Sequence, residues 1–148
     1  MKKPLSVVLL ALIAISLLTI SSVPGTTLKS KKQTVSVEGT WQLVSYKYGS
    51  SQSEFIDRNE TSTRTKVINK THFIWVEIDN SGKVMQSAGG KYTLAGETYT
   101  ELLEFGVGMD QYLKSSPQFT IKVEGDMMFQ SGFLTNNYRI EEIWKKVK

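Results

Sequence analysis

The feature that most limits what this chain can fold into is a succession of short alternating segments, separated by turn residues, that begins at Val37. In the segment 118–124, for example, Phe119, Ile121 and Val123 share one face, and Thr120, Lys122 and Glu124 share the other. Strict alternation of apolar and polar residues is typical of a β-strand with one buried face. Because no part of 37–148 sustains a helical period, the sequence predicts an all-β domain.

The number of segments and the shortness of their connections narrow the architecture further. Strands are predicted at 37–48, 63–69, 71–78, 83–87, 91–94, 98–105, 118–124, 127–134 and 138–147. Turn residues at 79–82, 95–97 and 125–126 join several of them as hairpins. About eight strands in hairpin order favour a closed up-and-down antiparallel barrel over a sandwich. The interior of such a barrel is either filled by side chains or holds one small ligand.

Residues 1–25 have the layout of a signal peptide. A basic start, Lys2-Lys3, precedes an apolar run at 5–20 and then a small-residue stretch that ends at Gly25. The run is shorter than the roughly 18–20 residues that cross a bilayer comfortably, although a retained anchor stays an alternative. We therefore expect a cleaved signal helix, export to the periplasm or the medium, and no stable membrane span afterwards. Residues 26–36 are expected to be a flexible lead-in to a domain at 37–148.

The composition excludes several kinds of chemistry. The chain has no cysteine, so disulfides and thiolate metal sites are excluded, and its one histidine, His72, cannot make a metal site alone. A formal net charge of +4, part of it in the leader, is no nucleic-acid footprint. The sequence contains no serine nucleophile elbow and no second histidine for a triad. We expect no enzyme, no cofactor, no metal and no nucleic-acid partner.

Two resemblances add to this interpretation. Gly39-Thr40-Trp41, at the head of the first strand, resembles the Gly-x-Trp motif of the lipocalins. In that family the tryptophan closes the barrel floor and a basic residue of the last strand packs over it. The resemblance implies that Arg139, Lys145 or Lys146 takes this place, and spacing alone does not choose among them.

A closer resemblance covers 37–148. It rests on the strings 71–75 (THFIW), 89–94 (GGKYTL), 99–101 (YTE) and 140–145 (IEEIWK). Together they are similar to a lipocalin-like domain of unknown function found in secreted proteins of Bacteroidetes-type bacteria. This resemblance implies an extracytoplasmic β-barrel with a ligand cavity, and it implies no reaction.

The candidate ligand-binding residues are aromatic or polar side chains on the alternating strands. Glu101 and Glu142 are flanked by apolar residues on their strand faces. If those faces point inward, each carboxylate needs a partner such as Arg139, Tyr99 or a polar group of a ligand. The alternative is that the faces point outward or that the glutamates form structural ion pairs. His72 is either a polar handle or a rim residue. The candidates are Trp41, His72, Trp75, Tyr99, Glu101, Arg139, Glu142 and Trp144.

We expect a binding protein for a small hydrophobic or amphipathic molecule. The alternative is a structural or interaction barrel that is filled by its own aromatics and acts through its surface. Apolar residues in the connections 49–62 and 106–116 form either a lid over the barrel mouth or part of the outer rim.

Overall fold

The alternating segments pair in chain order into one antiparallel sheet. The structure, a computed structural model, describes residues 36–58, 61–135 and 137–148. The predicted signal helix and all but the last residue of the predicted lead-in lie outside these ranges. Nowhere in the described ranges is there a helix long and apolar enough to cross a membrane. The elements are β1 (Gly39–Tyr48), β2 (Ile56–Asp57), β3 (Ser62–Ile68), β4 (His72–Asp79), β5 (Val84–Ala95), β6 (Thr98–Val107), a 3-10 turn (Asp110–Tyr112), β7 (Gln118–Glu124), β8 (Met127–Phe133) and β9 (Arg139–Lys146).

Strand β1 closes the sheet into a barrel because it pairs on both sides. Its first half pairs with β3, and its length from Trp41 to Tyr48 pairs with β9 through a register shift between Leu43 and Ser45. The short β2 lies beside the second half of β1, outside the ring of eight strands. The predicted closed, up-and-down barrel of about eight strands is confirmed.

One strand prediction is wrong in detail at Gly89 and Gly90. The sequence predicts two strands here, at 83–87 and 91–94, on either side of this pair. The structure has one continuous strand, β5, with a register shift between the two glycines. A Cβ at Gly90 would lie 1.9 Å from the Leu102 carbonyl oxygen, and a Cβ at Gly89 would lie 2.4 Å from the Phe105 ring. The glycines therefore permit close approach of β6 across a bulge, and they do not end the strand.

One end of the barrel is closed by packed side chains. Trp41, Ile121 and Met128 are fully buried there, and the Trp41 indole donates a hydrogen bond of 2.8 Å to the Val37 carbonyl. The Lys146 ammonium lies 5.1 Å from the centre of the Trp41 ring. Of the three basic residues that the lipocalin resemblance left open, Lys146 is the one over this tryptophan, as a cation–π pair.

Candidate functional site

Beyond the packed floor, the barrel contains a cavity of about 260 Å³. Its lining has two chemical characters. The polar lining residues are Tyr48, Arg64, Lys66, Gln86, Glu101, Gln111, Gln130 and Glu142. Aromatic and aliphatic side chains contribute Trp75, Leu103, Met109, Tyr112, Phe119, Leu134, Tyr138, Ile140 and Trp144. Small-molecule sites usually combine apolar and aromatic walls with a few placed polar groups, and this lining contains both kinds of side chain with a larger polar share.

A buried lysine lies at the centre of the polar wall. Lys66 points inward from β3 and is 1 % exposed, which is rare for this residue type unless it is paired. Its ammonium donates hydrogen bonds of 2.9 Å to Oε1 of Glu101 and 2.9 Å to Oε1 of Gln130. The ammonium also lies 5.0 Å from the centre of the Trp144 ring and 5.8 Å from that of Tyr99. We call Lys66, Glu101 and Gln130 the lysine cluster.

Burial dominates the acid–base behaviour of the lysine cluster. It raises the pKa of Glu101 above its usual value, and the charge of Lys66 opposes that shift only in part. The pKa of Tyr99 is also raised, first by burial and then by the charge of Glu101. The Tyr99 hydroxyl lies near Glu101, yet among the described residues it makes no hydrogen bond of good geometry. The ion pair therefore lies in a poorly solvated part of the barrel.

The second carboxylate is held by a different set of donors. Tyr48 donates a hydrogen bond of 2.5 Å to Oε1 of Glu142, and the Trp144 indole donates one of 3.1 Å to Oε2. Arg64 donates a hydrogen bond of 2.8 Å to the Tyr48 hydroxyl, and its Nη1 lies 3.5 Å from Oε1 of Glu142. Burial and the charge of Glu142 raise the pKa of Tyr48, so this phenol stays protonated as a donor.

Toward the open end, Arg64 also belongs to an ion-pair network. It donates hydrogen bonds of 2.9 and 2.5 Å to Oε2 of Glu77, while Arg58 donates one of 2.7 Å to Oε1. The Ser62 hydroxyl donates a further hydrogen bond of 2.9 Å to Oε1. Burial acts to raise the pKa of Glu77, but these donors and the Arg64 charge overcome it and hold the pKa at about 2. We call Arg58, Ser62, Arg64 and Glu77 the rim network.

The connection between β6 and β7 contributes to the cavity wall. Strands β6 and β7 pair at three positions only. Beyond these positions the connection forms backbone hydrogen bonds with β6. The Leu103 amide donates to the Ser115 carbonyl at 3.2 Å, and the Lys114 amide donates to the Leu103 carbonyl at 2.8 Å. This places Met109 and Tyr112 against the cavity. In the other long connection Phe55 is exposed, with Lys47 over its ring, and it does not line the cavity.

The structure separates the predicted candidates into two groups. Trp75, Glu101, Glu142 and Trp144 line the cavity, and Tyr99 is buried beside Glu101. The three others lie elsewhere: Trp41 in the floor, His72 on the exposed face of β4 and Arg139 on the outside of β9.

The two outlying polar candidates have partners on the surface. The His72 ring Nδ1 lies 2.7 Å from the Thr71 hydroxyl, and Arg139 forms an ion pair with Glu141. His72 is therefore exposed and is not a polar handle inside this cavity. Neither residue lines the cavity.

The sequence analysis missed the cations. Lys66 and Arg64 were not proposed, although they alternate with Ile68 on one face of β3. That alternation was the available signal for two inward-facing cations. Two carboxylates inside a barrel need compensating positive charge, and these side chains supply it. Within the described ranges, no group of three or more histidine or acidic side chains is placed to hold a metal ion.

Comparison with known proteins agrees with the fold. The sequence profile of the family described as domain of unknown function DUF4488 matches residues 36–148. A crystal structure of a lipocalin-like protein from Bacteroides uniformis superposes with a TM-score of 0.52 at 19 % identity, covering 74 % of this chain and 97 % of that one. No curated protein matches the chain. The chain therefore belongs to the DUF4488 family, and its barrel has the lipocalin-like fold.

Proposed function

We propose that this protein binds one small, partly apolar molecule in the barrel cavity. The observation that carries the proposal is the cavity itself, about 260 Å³ with a polar wall and an aromatic wall. Typical small-molecule pockets start at about 300 Å³, so this volume lies just below that range and fits a ligand smaller than a drug-sized molecule. The lipocalin-like fold is consistent with this role.

The distribution of the aromatics supports binding over the alternative of a filled barrel. Trp41, Ile121 and Met128 are fully buried, and none of them lines the cavity. Trp75 and Trp144 instead line open space, and Trp75 stays 9 % exposed. A barrel that acted only through its surface would gain stability by closing that space, because unfilled core volume costs free energy.

We propose no catalytic role for the polar wall. Each of its cations is already bonded to an acidic group, Lys66 to Glu101 and Arg64 to Glu77. A general acid or base needs a titratable group that reaches a substrate proton. Ion pairs of this kind are better suited to orienting a bound molecule.

We further propose that the protein is exported. The support is the leader pattern at 1–25, a basic start followed by an apolar run and small residues. Cell fractionation of the host with N-terminal sequencing of the mature protein tests this. Recovery outside the cytoplasm with a start after Ser22 or Gly25 is expected, and a cytoplasmic chain that retains Met1 would contradict it.

Native mass spectrometry of the protein purified from its own host tests the binding proposal. A stoichiometric copurified molecule is expected in the wild type and in Ile74→Ala, since Ile74 lies on the exposed face of β4. The molecule should be lost in Trp75→Ala, which removes a cavity wall from the same strand. An apo mass for all three proteins, with no shift against a panel of lipids and metabolites, would favour the surface-acting alternative.

A further inference from the structure

We propose that the cavity selects a molecule with no net charge. The ligand would carry one group that both donates and accepts hydrogen bonds, such as an amide, beside an apolar body. This inference deepens the proposed binding function and rests on it. The observation behind it is that the cavity lining holds charges that are already paired and hydrogen-bonding atoms that are not.

The charges in the lining compensate one another. Lys66 pairs with Glu101 at 2.9 Å, and Arg64 lies 3.5 Å from Glu142 while also bonding Glu77. Two cations and two carboxylates therefore line the cavity among the described residues, and the Glu77 carboxylate behind Arg64 is paired with Arg58 as well. A charged ligand would enter without an unpaired counter-charge, and a buried charge without a partner is strongly unfavourable.

The lysine cluster leaves one donor group and one acceptor atom for a ligand. Lys66 bonds Oε1 of Gln130, which fixes the orientation of that amide and leaves its NH₂ group on the opposite side. Lys66 also occupies Oε1 of Glu101. Across the described residues, no hydrogen bond of good geometry reaches Oε2 of Glu101 or Nε2 of Gln130, and the Tyr99 hydroxyl near the Glu101 carboxylate is itself without such a bond. An amide supplies the carbonyl and the N–H that this pair requires.

The walls facing the cluster suit the apolar body of such a ligand. Trp75, Met109 and Phe119 line the same cavity. Their burial against a hydrocarbon segment would supply the hydrophobic part of the affinity, which scales with the apolar area removed from water. Polar recognition by Glu101 and Gln130 would then set orientation and selectivity.

Three probes of matched chain length test the inference on the full chain: hexanamide, hexanoate and hexylammonium, with affinities measured by isothermal titration calorimetry. We expect hexanamide to bind at least about tenfold more tightly than either ion, because an ion must be desolvated without a free partner. Equal or tighter binding of an ion overturns the inference while leaving the binding function intact. Failure of all three probes, together with an apo mass for the host protein, contradicts the binding function as well.

Charge variants show whether the selectivity comes from the paired charges. Glu101→Gln leaves Lys66 without its carboxylate and should shift the preference to hexanoate. Gln130→Glu adds a negative charge and should shift the ligand preference to hexylammonium. This second variant keeps the test valid if the first one folds poorly. Glu104→Gln, on the exposed face of the same strand as Glu101, should keep the wild-type order. An unchanged order in both cavity variants would overturn the inference.

Discussion

Replacing Lys66 by methionine removes the cation from the lysine cluster while nearly keeping its side-chain volume. The ammonium is buried and bonds Glu101 and Gln130 at 2.9 Å each. Its loss leaves a buried carboxylate without a countercharge. Breaking a buried pair from one side is strongly destabilising, because the remaining charge keeps its desolvation cost.

Protonation of Glu101 sets an upper limit on the stability that Lys66→Met loses through the stranded charge. The carboxyl can escape its unpaired charge by binding a proton, at about 1.4 kcal/mol for each pH unit above its usual pKa of 4.5. That limit is about 3.5 kcal/mol at pH 7 and about 0.7 kcal/mol at pH 5. The lost hydrogen bond to Gln130 adds about 1 kcal/mol at either pH.

The sign of the pH dependence follows from the same limit. In Lys66→Met the folded-state pKa of Glu101 rises further above its unfolded value, so the folded chain binds more protons between the two values. The free energy of unfolding of the variant therefore falls as pH rises from 5 to 7. Urea denaturation at both pH values measures the difference from wild type.

Two controls accompany this measurement. Lys122→Met breaks an exposed pair with Glu124 and should cost less than about 1 kcal/mol at both pH values. Adding Glu101→Leu to Lys66→Met removes the stranded charge and should recover part of the loss, giving a non-additive double-mutant cycle. A pH-independent loss in Lys66→Met, or additive effects in the double variant, would refute the reasoning.

Two further predictions concern the rim network and the β5 bulge. Glu77 has a pKa of about 2, so its contribution is present above about pH 4.5 and lost toward pH 2. We expect Glu77→Gln to lower the free energy of unfolding by about 1–3 kcal/mol at pH 7 and by little at pH 2. The exposed control Glu104→Gln should change the free energy of unfolding little at either pH. Gly90→Ala places a Cβ 1.9 Å from backbone and should cost at least about 2 kcal/mol in urea titration. Gly82→Ala meets no atom within 4 Å and carries only the strain of its positive φ of 83°, so it should cost less; equal losses would contradict the steric argument.

Much of the fold could be predicted because the alternation of a strand depends only on residues that are neighbours in the sequence. Glu101 lies between Tyr99 and Leu103 on one face, and the structure shows that this face points inward, which the sequence left open. The same pattern placed Glu142 correctly beside Trp144. Which residues share a face of a strand is a local property, so sequence periodicity was enough to recover it.

The partners of those carboxylates could not be predicted, since they depend on register across the barrel. Lys66 meets Gln130 across 64 positions of sequence. The position of Lys146 over Trp41 depends on the β1–β9 register, which shifts at the bulge after Leu43. A slip of one residue moves every side chain of a strand to the other face, and nothing local in the sequence sets the register of these distant strands.

The most direct test of the account is a crystal structure of the protein purified from its own host without added ligand. We expect electron density for one small molecule in the cavity, against Trp75, with a polar group within hydrogen-bonding distance of Glu101 and Gln130. A cavity that holds only water, or one closed by inward movement of Met109 and Tyr112, would contradict the proposal that this barrel carries a ligand.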